Sequence, residues 1–318
     1  MVDAKPRIGI SSCLLGQRVR YDGGHKKDEF LTQTFGRFVE WVAVCPEVEV
    51  GMGTPRESIR LVGDAAHPRL MGDRSGRDWT EPMLTYSKRR IDELGTMNLA
   101  GYVLKKDSPS CGMERVRVYP GKGKAPNKSG RGLFAQVLLD ASPLLPIEEE
   151  GRLNDPALRD NFIERVFAYT RWQALAGERP SVGKLVAFHA AHKFVLMAHS
   201  EPHLRRLGRL VAGVKGRPPH EALEEYGRVF MEALRVPATV RKHVNILQHL
   251  AGYFSTQLSA EERAELAEVI TDYHRGLVPL VVPITLIRHY VKKHQVAYVQ
   301  GQIYLQPHPK ELMLRNHV

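Results

Sequence analysis

Short apolar runs alternate with longer amphipathic segments along the first half of the chain. Three such runs, each followed by a polar loop, lie at 8–10, 41–44 and 102–104. Runs of this length are typical of buried parallel strands. The segments 27–38 and 82–97, which precede the second and third runs, are predicted helices. The alternation predicts βαβ units and an α/β domain with a mostly parallel, Rossmann-like sheet.

The second half of the chain has a different hydrophobic period. Apolar residues recur at helical spacing in five segments, 155–175, 182–199, 220–234, 238–254 and 260–275. Ser259 and Glu262 have the spacing of a capping box at the start of the last segment. An acidic run at 148–150 marks the change of pattern. We therefore expect an α/β domain over residues 1–150 and an all-α domain over 151–318.

One long segment of the first half has no predicted element. Residues 51–80 are rich in Gly, Pro, Arg and Asp. Structureless segments of this length inside a compact domain are usually functional or disordered. We therefore expect a long loop that follows the second predicted strand.

Charge and cysteine content limit the class of protein. The 318 residues carry 46 Lys and Arg against 35 Asp and Glu, a net charge of +11, which favours a nucleotide or nucleic acid as partner. A solvated basic surface would explain the same charge. Three cysteines, an odd number, argue against a disulfide framework. The longest apolar stretch, 277–287, is too short to span a bilayer, so we expect a cytoplasmic protein without a membrane partner.

The three cysteines follow the three predicted strands. Cys13, Cys45 and Cys111 each lie in the polar segment after one of the apolar runs. Ligands of open α/β sheets bind beyond the carboxyl ends of the strands, so these thiols can converge on one metal centre. Their intervals of 32 and 66 residues match no local zinc or ferredoxin motif, and buried structural cysteines are the alternative. Thiolates suit zinc or an iron–sulfur cluster, and three ligands would leave a coordination position open for catalysis.

Four sequence blocks follow one another in the order found in a known family: ISSCLLG at 10–16, RYDG at 20–23, CPE at 45–47 and KKDSPSCG at 105–112. They resemble the thiouracil desulfidase family (DUF523), and the second half is similar to the DUF1722 domain often fused to it. The resemblance implies a 4Fe-4S cluster held by Cys13, Cys45 and Cys111, with the fourth iron open to a thiocarbonyl sulfur. It also implies that water replaces sulfur on thiouracil or 4-thiouridine monophosphate without net redox change.

The resemblance implies catalytic roles for two further residues. Glu47 matches the family's catalytic carboxylate, and Ser108 matches a second catalytic position that can orient water or the ring. The reaction requires such groups, since protons of the incoming water and the departing sulfide must be transferred. The local alternatives are a loop-capping hydroxyl for Ser108 and a solvated charge for Glu47.

A nucleotide substrate would also require a phosphate site. Arg20, Arg56 and Lys105, with Lys106 as an alternative to Lys105, are the candidate cations near the cysteine motifs. Each of them can equally be an ordinary surface charge.

The helical half offers weaker candidates. Four histidines, His189, His192, His199 and His203, suggest a metal site, but no carboxylate motif accompanies them and we expect core or surface histidines. The segment 298–304 contains aromatic and amide side chains that can stack on a nucleic-acid base, although core packing is the simpler expectation.

Three hypotheses follow. The leading one is an iron–sulfur-dependent desulfidase that acts on a thiolated pyrimidine or its nucleotide. The second is a basic module that binds thiolated RNA. In this hypothesis the helical domain contacts the RNA and the three cysteines are structural. The third is a hydro-lyase that uses the open iron of a cluster as a Lewis acid.

Overall fold

The computed structural model describes residues 5–120, 125–178, 181–216 and 218–318. The chain divides into two compact units, Met1–Asn154 and Asp155–Val318. No helix in these described ranges is long and apolar enough to cross a membrane.

The described part of the first unit combines eight strands with two α-helices. The strands are β1 (Arg7–Ser11), β2 (Glu40–Val44), β3 (Ile59–Val62), β4 (Arg69–Gly72), β5 (Leu99–Leu104), β6 (Val116–Tyr119), β7 (Asn127–Gly130) and β8 (Ile147–Glu149). The helices are α1 (Thr80–Gly95) and α2 (Leu133–Ala141).

The predicted parallel sheet is confirmed. Its order is β2-β1-β5-β8, and every pair of neighbours runs parallel. All six residues of β5 are buried, as expected for a central strand covered on both faces. Gly9 on β1 permits close packing, because a Cβ there would lie 2.1 Å from the ring of Tyr102.

The expected long loop over 51–80 contains two strands, β3 and β4, which belong to a second, mixed sheet. Its order is β4-β3-β6-β7, and β3 and β4 are antiparallel partners. The hydrophobic pattern did not predict β3 and β4, because each strand is only four residues long and only part of it is buried. Leu61 and Leu70 are fully buried, whereas Arg60 between Ile59 and Leu61 is exposed.

The predicted helix over 27–38 is also corrected. The chain forms one π-helical turn at Phe30–Thr34 and one 3-10 turn at Phe35–Arg37. Leu31 and Phe35 are nevertheless buried, so the apolar pattern identified the inward-facing side chains correctly.

The acidic run at 148–150 contributes to the buried parallel sheet. β8 includes Glu148 and Glu149, and both are buried together with Glu150. Each carboxylate has a partner: Arg152 for Glu148, the backbone N–H of Met113 for Glu149, and Lys105 for Glu150. Buried carboxylates require such partners, because an unpaired buried charge is strongly destabilising.

The second unit is all-helical, as predicted. Its helices are α3 (Pro156–Gly177), α4 (Val182–Ala191), α5 (Lys193–His199), α6 (Glu201–Ala212), α7 (Pro219–Arg235), α8 (Val240–Gly252), α9 (Ala260–His274), α10 (Val281–His294) and α11 (Ala297–Gln300). The predicted helix over 182–199 is divided at His192, and α6, α10 and α11 are additional. The capping box of Ser259 and Glu262 is present at the start of α9.

The four candidate histidines of this unit have ordinary partners. His192 and His199 are buried, and His199 Nε2 lies 3.3 Å from Glu164 Oε2. His189 Nδ1 lies 3.1 Å from the hydroxyl of Tyr226, and His203 Nδ1 lies 2.7 Å from that of Ser200. In the described residues they do not form a metal-binding group.

Candidate active site

Three thiols lie at the carboxyl edge of the parallel sheet. Cys13 is in the 3-10 turn Ser12–Leu15 directly after β1, Cys45 follows β2, and Cys111 lies in the loop after β5. These strands are neighbours in the sheet, so their ends deliver the cysteines to one place. All three line one cavity of about 480 Å³, and none forms a disulfide.

The surroundings of the three thiols favour their neutral form. Burial raises the pKa of the Cys13 thiol to about 11, with Lys105 acting in the opposite direction. Burial also raises the pKa values of Cys45 and Cys111. Unliganded thiols here stay protonated at neutral pH. Binding of a metal by these residues would require deprotonation of the thiols, since the thiolate is the metal ligand.

The thiols are not arranged around a single ion. Within the ranges that the structure describes, no three His, Cys, Asp or Glu side chains come close enough together to hold one metal ion. A cluster differs from a single ion, since each thiolate binds a different iron and the ligands can stand further apart. Three soft thiol donors on one cavity suit a thiophilic metal centre, either zinc or an iron–sulfur cluster.

Glu47 and Ser108 lie beside the thiols in the same cavity. The Ser108 hydroxyl is 3.4 Å from Glu47 Oε1. A much shorter contact comes from Ser110, whose hydroxyl donates to the same oxygen at 2.5 Å. Arg56 donates to the other carboxylate oxygen, Oε2. Both oxygens of Glu47 are thus held in place, which fixes the orientation of the carboxylate.

Ser108 also caps the loop that carries Cys111. Its hydroxyl accepts hydrogen bonds from the backbone N–H groups of Ser110 (3.3 Å) and Cys111 (3.1 Å). The two serine hydroxyls are 3.0 Å apart. The loop-capping role considered from the sequence is therefore present, together with the contact to Glu47. Ser110 was missed, although its place between Ser108 and Cys111 was a usable signal.

Arg20, Arg56 and Lys105 line the cavity, and each lies within ion-pair distance of a carboxylate. Lys106, the alternative to Lys105, also lines the cavity; its side chain is exposed and its backbone N–H donates to Glu150 Oε2 at 2.8 Å. Arg56 is buried against Glu47 and donates to the carbonyls of Val19 and Gly53, both at 2.9 Å. The ammonium of Lys105 lies 2.5 Å from Glu150. Arg20 is 3.4 Å from Asp22. These charges are largely compensated within the protein.

Two further residues position the cysteine loops. Glu49 accepts a hydrogen bond from the backbone N–H of Cys45 (2.9 Å) and another from the hydroxyl of Tyr86 (2.7 Å). At Gly132, which precedes α2, a Cβ would lie 2.4 Å from the carbonyl oxygen of Ser110. Only glycine permits this close approach to the Cys111 loop. Sequence reasoning identified neither residue.

Two family models match this chain. The family model described as 2-thiouracil desulfurase matches residues 8–150, and that of DUF1722, a protein family of unknown function, matches residues 193–309. The uncharacterized protein YbgA of Escherichia coli (strain K12) is 33% identical over 158 residues, which cover 49% of this chain and 94% of YbgA. The uncharacterized protein YbbK of Bacillus subtilis (strain 168) is 31% identical over 153 residues, which cover 46% of this chain and 98% of YbbK.

A solved structure, that of the 4Fe-4S-dependent thiouracil desulfidase TudS, is 30% identical with a TM-score of 0.39. The match covers 47% of this chain and 94% of that one. Fold and site together define an α/β protein with a three-thiol centre at the carboxyl edge of its parallel sheet. The chain belongs to the 2-thiouracil desulfurase family in its first half and to the DUF1722 family in its second.

Proposed function

We propose that this protein is an iron–sulfur-dependent desulfidase that converts a thiolated pyrimidine to its oxo form. The overall change adds one water and releases one hydrogen sulfide, without oxidation or reduction. The observation that carries the proposal is the presence of three free thiols, Glu47 and Ser108 on one cavity. Its volume of about 480 Å³ is in the ordinary range for a small-molecule site.

In this proposal Cys13, Cys45 and Cys111 hold a 4Fe-4S cluster. The bound cluster would supply a thiophilic Lewis acid with one iron free of protein ligands. Three cysteines suit this role because the chain has no fourth cysteine to close the last position.

The proton transfers are assigned to Glu47, and Ser108 is assigned an orienting role. Glu47 takes a proton from the attacking water as general base, and that proton can later leave with the sulfide. Oε1 is the oxygen that receives it, since Oε2 is paired with Arg56. The Ser108 hydroxyl, 3.4 Å from Oε1, orients the water or the pyrimidine ring. Ser110 and Arg56 keep the carboxylate in position throughout.

The substrate class is a thiolated pyrimidine base or its nucleotide, with thiouracil and 4-thiouridine monophosphate as the specific candidates. A cytoplasmic location is part of the proposal, because three unpaired cysteines suit a reducing compartment.

Anaerobic purification tests the proposal directly. We expect a brown protein with iron and sulfide contents that fit one 4Fe-4S cluster per chain. With 4-thiouridine monophosphate or thiouracil, thiocarbonyl absorbance should decay while sulfide appears in equal amount. Cys111→Ser should lower both iron content and turnover. Colourless, iron-free protein from an anaerobic preparation would refute the cluster, and turnover of hydroxy acids instead of thiopyrimidines would favour a hydro-lyase.

A second candidate function, RNA binding, is proposed for the helical unit. Tyr253 and Tyr298 stack with their ring centroids 5.4 Å apart, yet remain 38% and 41% exposed. Phe194 makes an edge contact with Tyr253, and the ammonium of Lys193 lies over the Phe194 ring. Exposed aromatic rings beside a cation are typical of surfaces on which single-stranded bases stack.

Fluorescence titration with single-stranded RNA tests this second function. Affinity should fall with salt and survive replacement of all three cysteines by serine. Tyr253→Ala and Tyr298→Ala should each weaken binding about tenfold, given the usual energy of base stacking on aromatic side chains. The control is Tyr21→Ala in the first unit, because Tyr21 is also exposed. Binding that is unaffected in both variants would refute the surface.

A further inference from the structure

Cys111 is the least solvated of the three thiols. It is 5% exposed, compared with 9% for Cys13, and Cys45 is half-buried. A carboxylate acts on it as well, since the charge of Glu47 adds to the effect of burial in raising the pKa of Cys111. A thiolate at this position therefore needs hydrogen-bond donors that compensate its negative charge.

The backbone N–H groups of the Cys111 loop are engaged elsewhere. That of Cys111 donates to the hydroxyl of Ser108 at 3.1 Å, and that of Gly112 donates to the carbonyl oxygen of Ser108 at 2.8 Å. The N–H of Met113 donates to Glu149 Oε1 at 2.6 Å. Compensation of a thiolate at Cys111 therefore falls to side-chain donors.

Two serine hydroxyls lie beside the Cys111 sulfur, and each has one proton to donate. The Ser110 hydroxyl is 3.8 Å from Sγ, but its proton goes to Glu47 Oε1 at 2.5 Å. The Ser11 hydroxyl accepts the backbone N–H of Lys105 at 3.0 Å, which leaves its own proton for another acceptor. Burial raises the pKa of Cys111, and a hydrogen bond from the Ser11 side chain acts in the opposite direction.

The fold fixes Ser11 at this place. It is the last residue of β1, is 3% exposed and lines the cavity together with the thiols. β1 and β5 are parallel neighbours, and Lys105 directly follows β5. The hydrogen bond from Lys105 therefore holds the Ser11 hydroxyl at the two strand ends that lead to Cys13 and Cys111.

We propose that Ser11 is a positioning residue that donates a hydrogen bond to the thiolate of Cys111 and thereby strengthens the binding of the cluster. The proposal rests on the iron–sulfur-dependent function proposed above. Hydrogen bonds to a charged group are stronger than those between neutral groups, and hydrogen bonds to sulfur help to set the potential of iron–sulfur clusters. Since reduction adds negative charge, a donor at sulfur stabilises the reduced form more than the oxidised form.

Anaerobic potentiometry and iron release to a chelator test this assignment without turnover. Ser11→Ala should lower the midpoint potential of the bound cluster by about 30–60 mV, the equivalent of a three- to tenfold change for one electron. It should also speed iron release about tenfold, as expected for loss of a hydrogen bond that orients a metal ligand. Ser11→Thr keeps a hydroxyl and should stay close to the wild type in both measurements.

Two matched substitutions separate this effect from the general loss of a buried hydroxyl. Ser87→Ala removes a fully buried hydroxyl of α1 that donates to the carbonyl oxygen of Met83 at 2.7 Å, and should change neither potential nor iron release. Ser110→Ala should also leave the potential unchanged, because the proton of that hydroxyl goes to Glu47.

Resonance Raman spectra of the wild-type holoprotein give an independent readout. The iron–sulfur stretching bands should shift in D2O, and the shift should be smaller in Ser11→Ala. Unchanged potential and iron release in Ser11→Ala, an equal change in Ser87→Ala, or wild-type bands that are insensitive to D2O would overturn the role of Ser11 while desulfuration stands. A cluster that depends on Ser11 but releases no sulfide from thiopyrimidines would instead sustain this role and refute the desulfidase function.

Discussion

The ion pair between Arg56 and Glu47 should be the most destabilising contact to break in the first unit. Its side chains are only 6% and 16% exposed. Substituting Arg56 with Met removes the cation and leaves a carboxylate in a poorly solvated place. The carbonyl oxygens of Val19 and Gly53 lose a donor as well.

The structure allows the size of the effect to be worked out. Removing one partner of a buried ion pair costs about 3–5 kcal/mol. For a unit of this size, 1 kcal/mol corresponds to about 2–4 °C, so the Tm should fall by about 6–20 °C. Glu47→Leu combined with Arg56→Met removes both charges, and we expect the double variant to be more stable than Arg56→Met alone. The loss in the double variant should therefore be smaller than the sum of the two single losses.

Calorimetric unfolding measures the loss, and hydrogen exchange read by mass spectrometry at β2 and β5 assigns it to the first unit. The control is Arg7→Met, because Arg7 and Glu40 form a pair 3.1 Å apart whose side chains are 56% and 57% exposed. Such a surface pair contributes about 0.2–1 kcal/mol. If Arg56→Met costs no more than Arg7→Met, the reasoning about a buried, orienting ion pair is wrong.

Three further predictions concern other parts of the chain. Ser110→Ala should lower kcat by about 10- to 100-fold at equal cluster content, because Glu47 loses its 2.5 Å partner; steady-state assays with wild-type kcat would contradict this. Gly132→Ala should destabilise by about 1–3 kcal/mol in urea unfolding and reduce iron content, whereas Gly95→Ala, with open space around it, should be near neutral. Burial lowers the pKa of His192 to about 3 and that of His243 to about 4. Below pH 6.5, the ordinary pKa of histidine, these side chains are therefore protonated in the unfolded chain but neutral in the folded one. Each histidine should lower the free energy of unfolding by about 1.4 kcal/mol per pH unit on acidification from pH 6.5 to 4, and a urea unfolding free energy that is independent of pH in this range would contradict this prediction.

The sequence predicted the parallel sheet because its strands carry a strong, local signal. β1, β2 and β5 each contain a short apolar run that is followed by a polar loop, which is the pattern of parallel strands in an α/β sheet. The edge strand β2 is less buried than β1 and β5. Once the strands are parallel neighbours, the position of Cys13, Cys45 and Cys111 at a common edge follows from geometry alone. The helical half was equally accessible, since helical periodicity extends over many residues.

The contacts around the site could not be obtained in this way, because they depend on partners distant in sequence. Glu150 lies 45 residues from Lys105, and Ser110 lies 63 residues from Glu47. The acidic run at 148–150 has the composition of a solvated segment. Its three carboxylates are nevertheless buried, and each accepts a hydrogen bond from a donor within the protein. The sequence alone does not predict which cations at a cavity will form ion pairs with carboxylates.

Arg56, Glu47 and Ser110 form one connected group in which both charges have a partner. Such a group fixes the orientation of a carboxylate, which is what the general base of the proposed reaction requires. Stability and orientation therefore depend on the same contacts, so substitutions in this group should change the free energy of unfolding and kcat together.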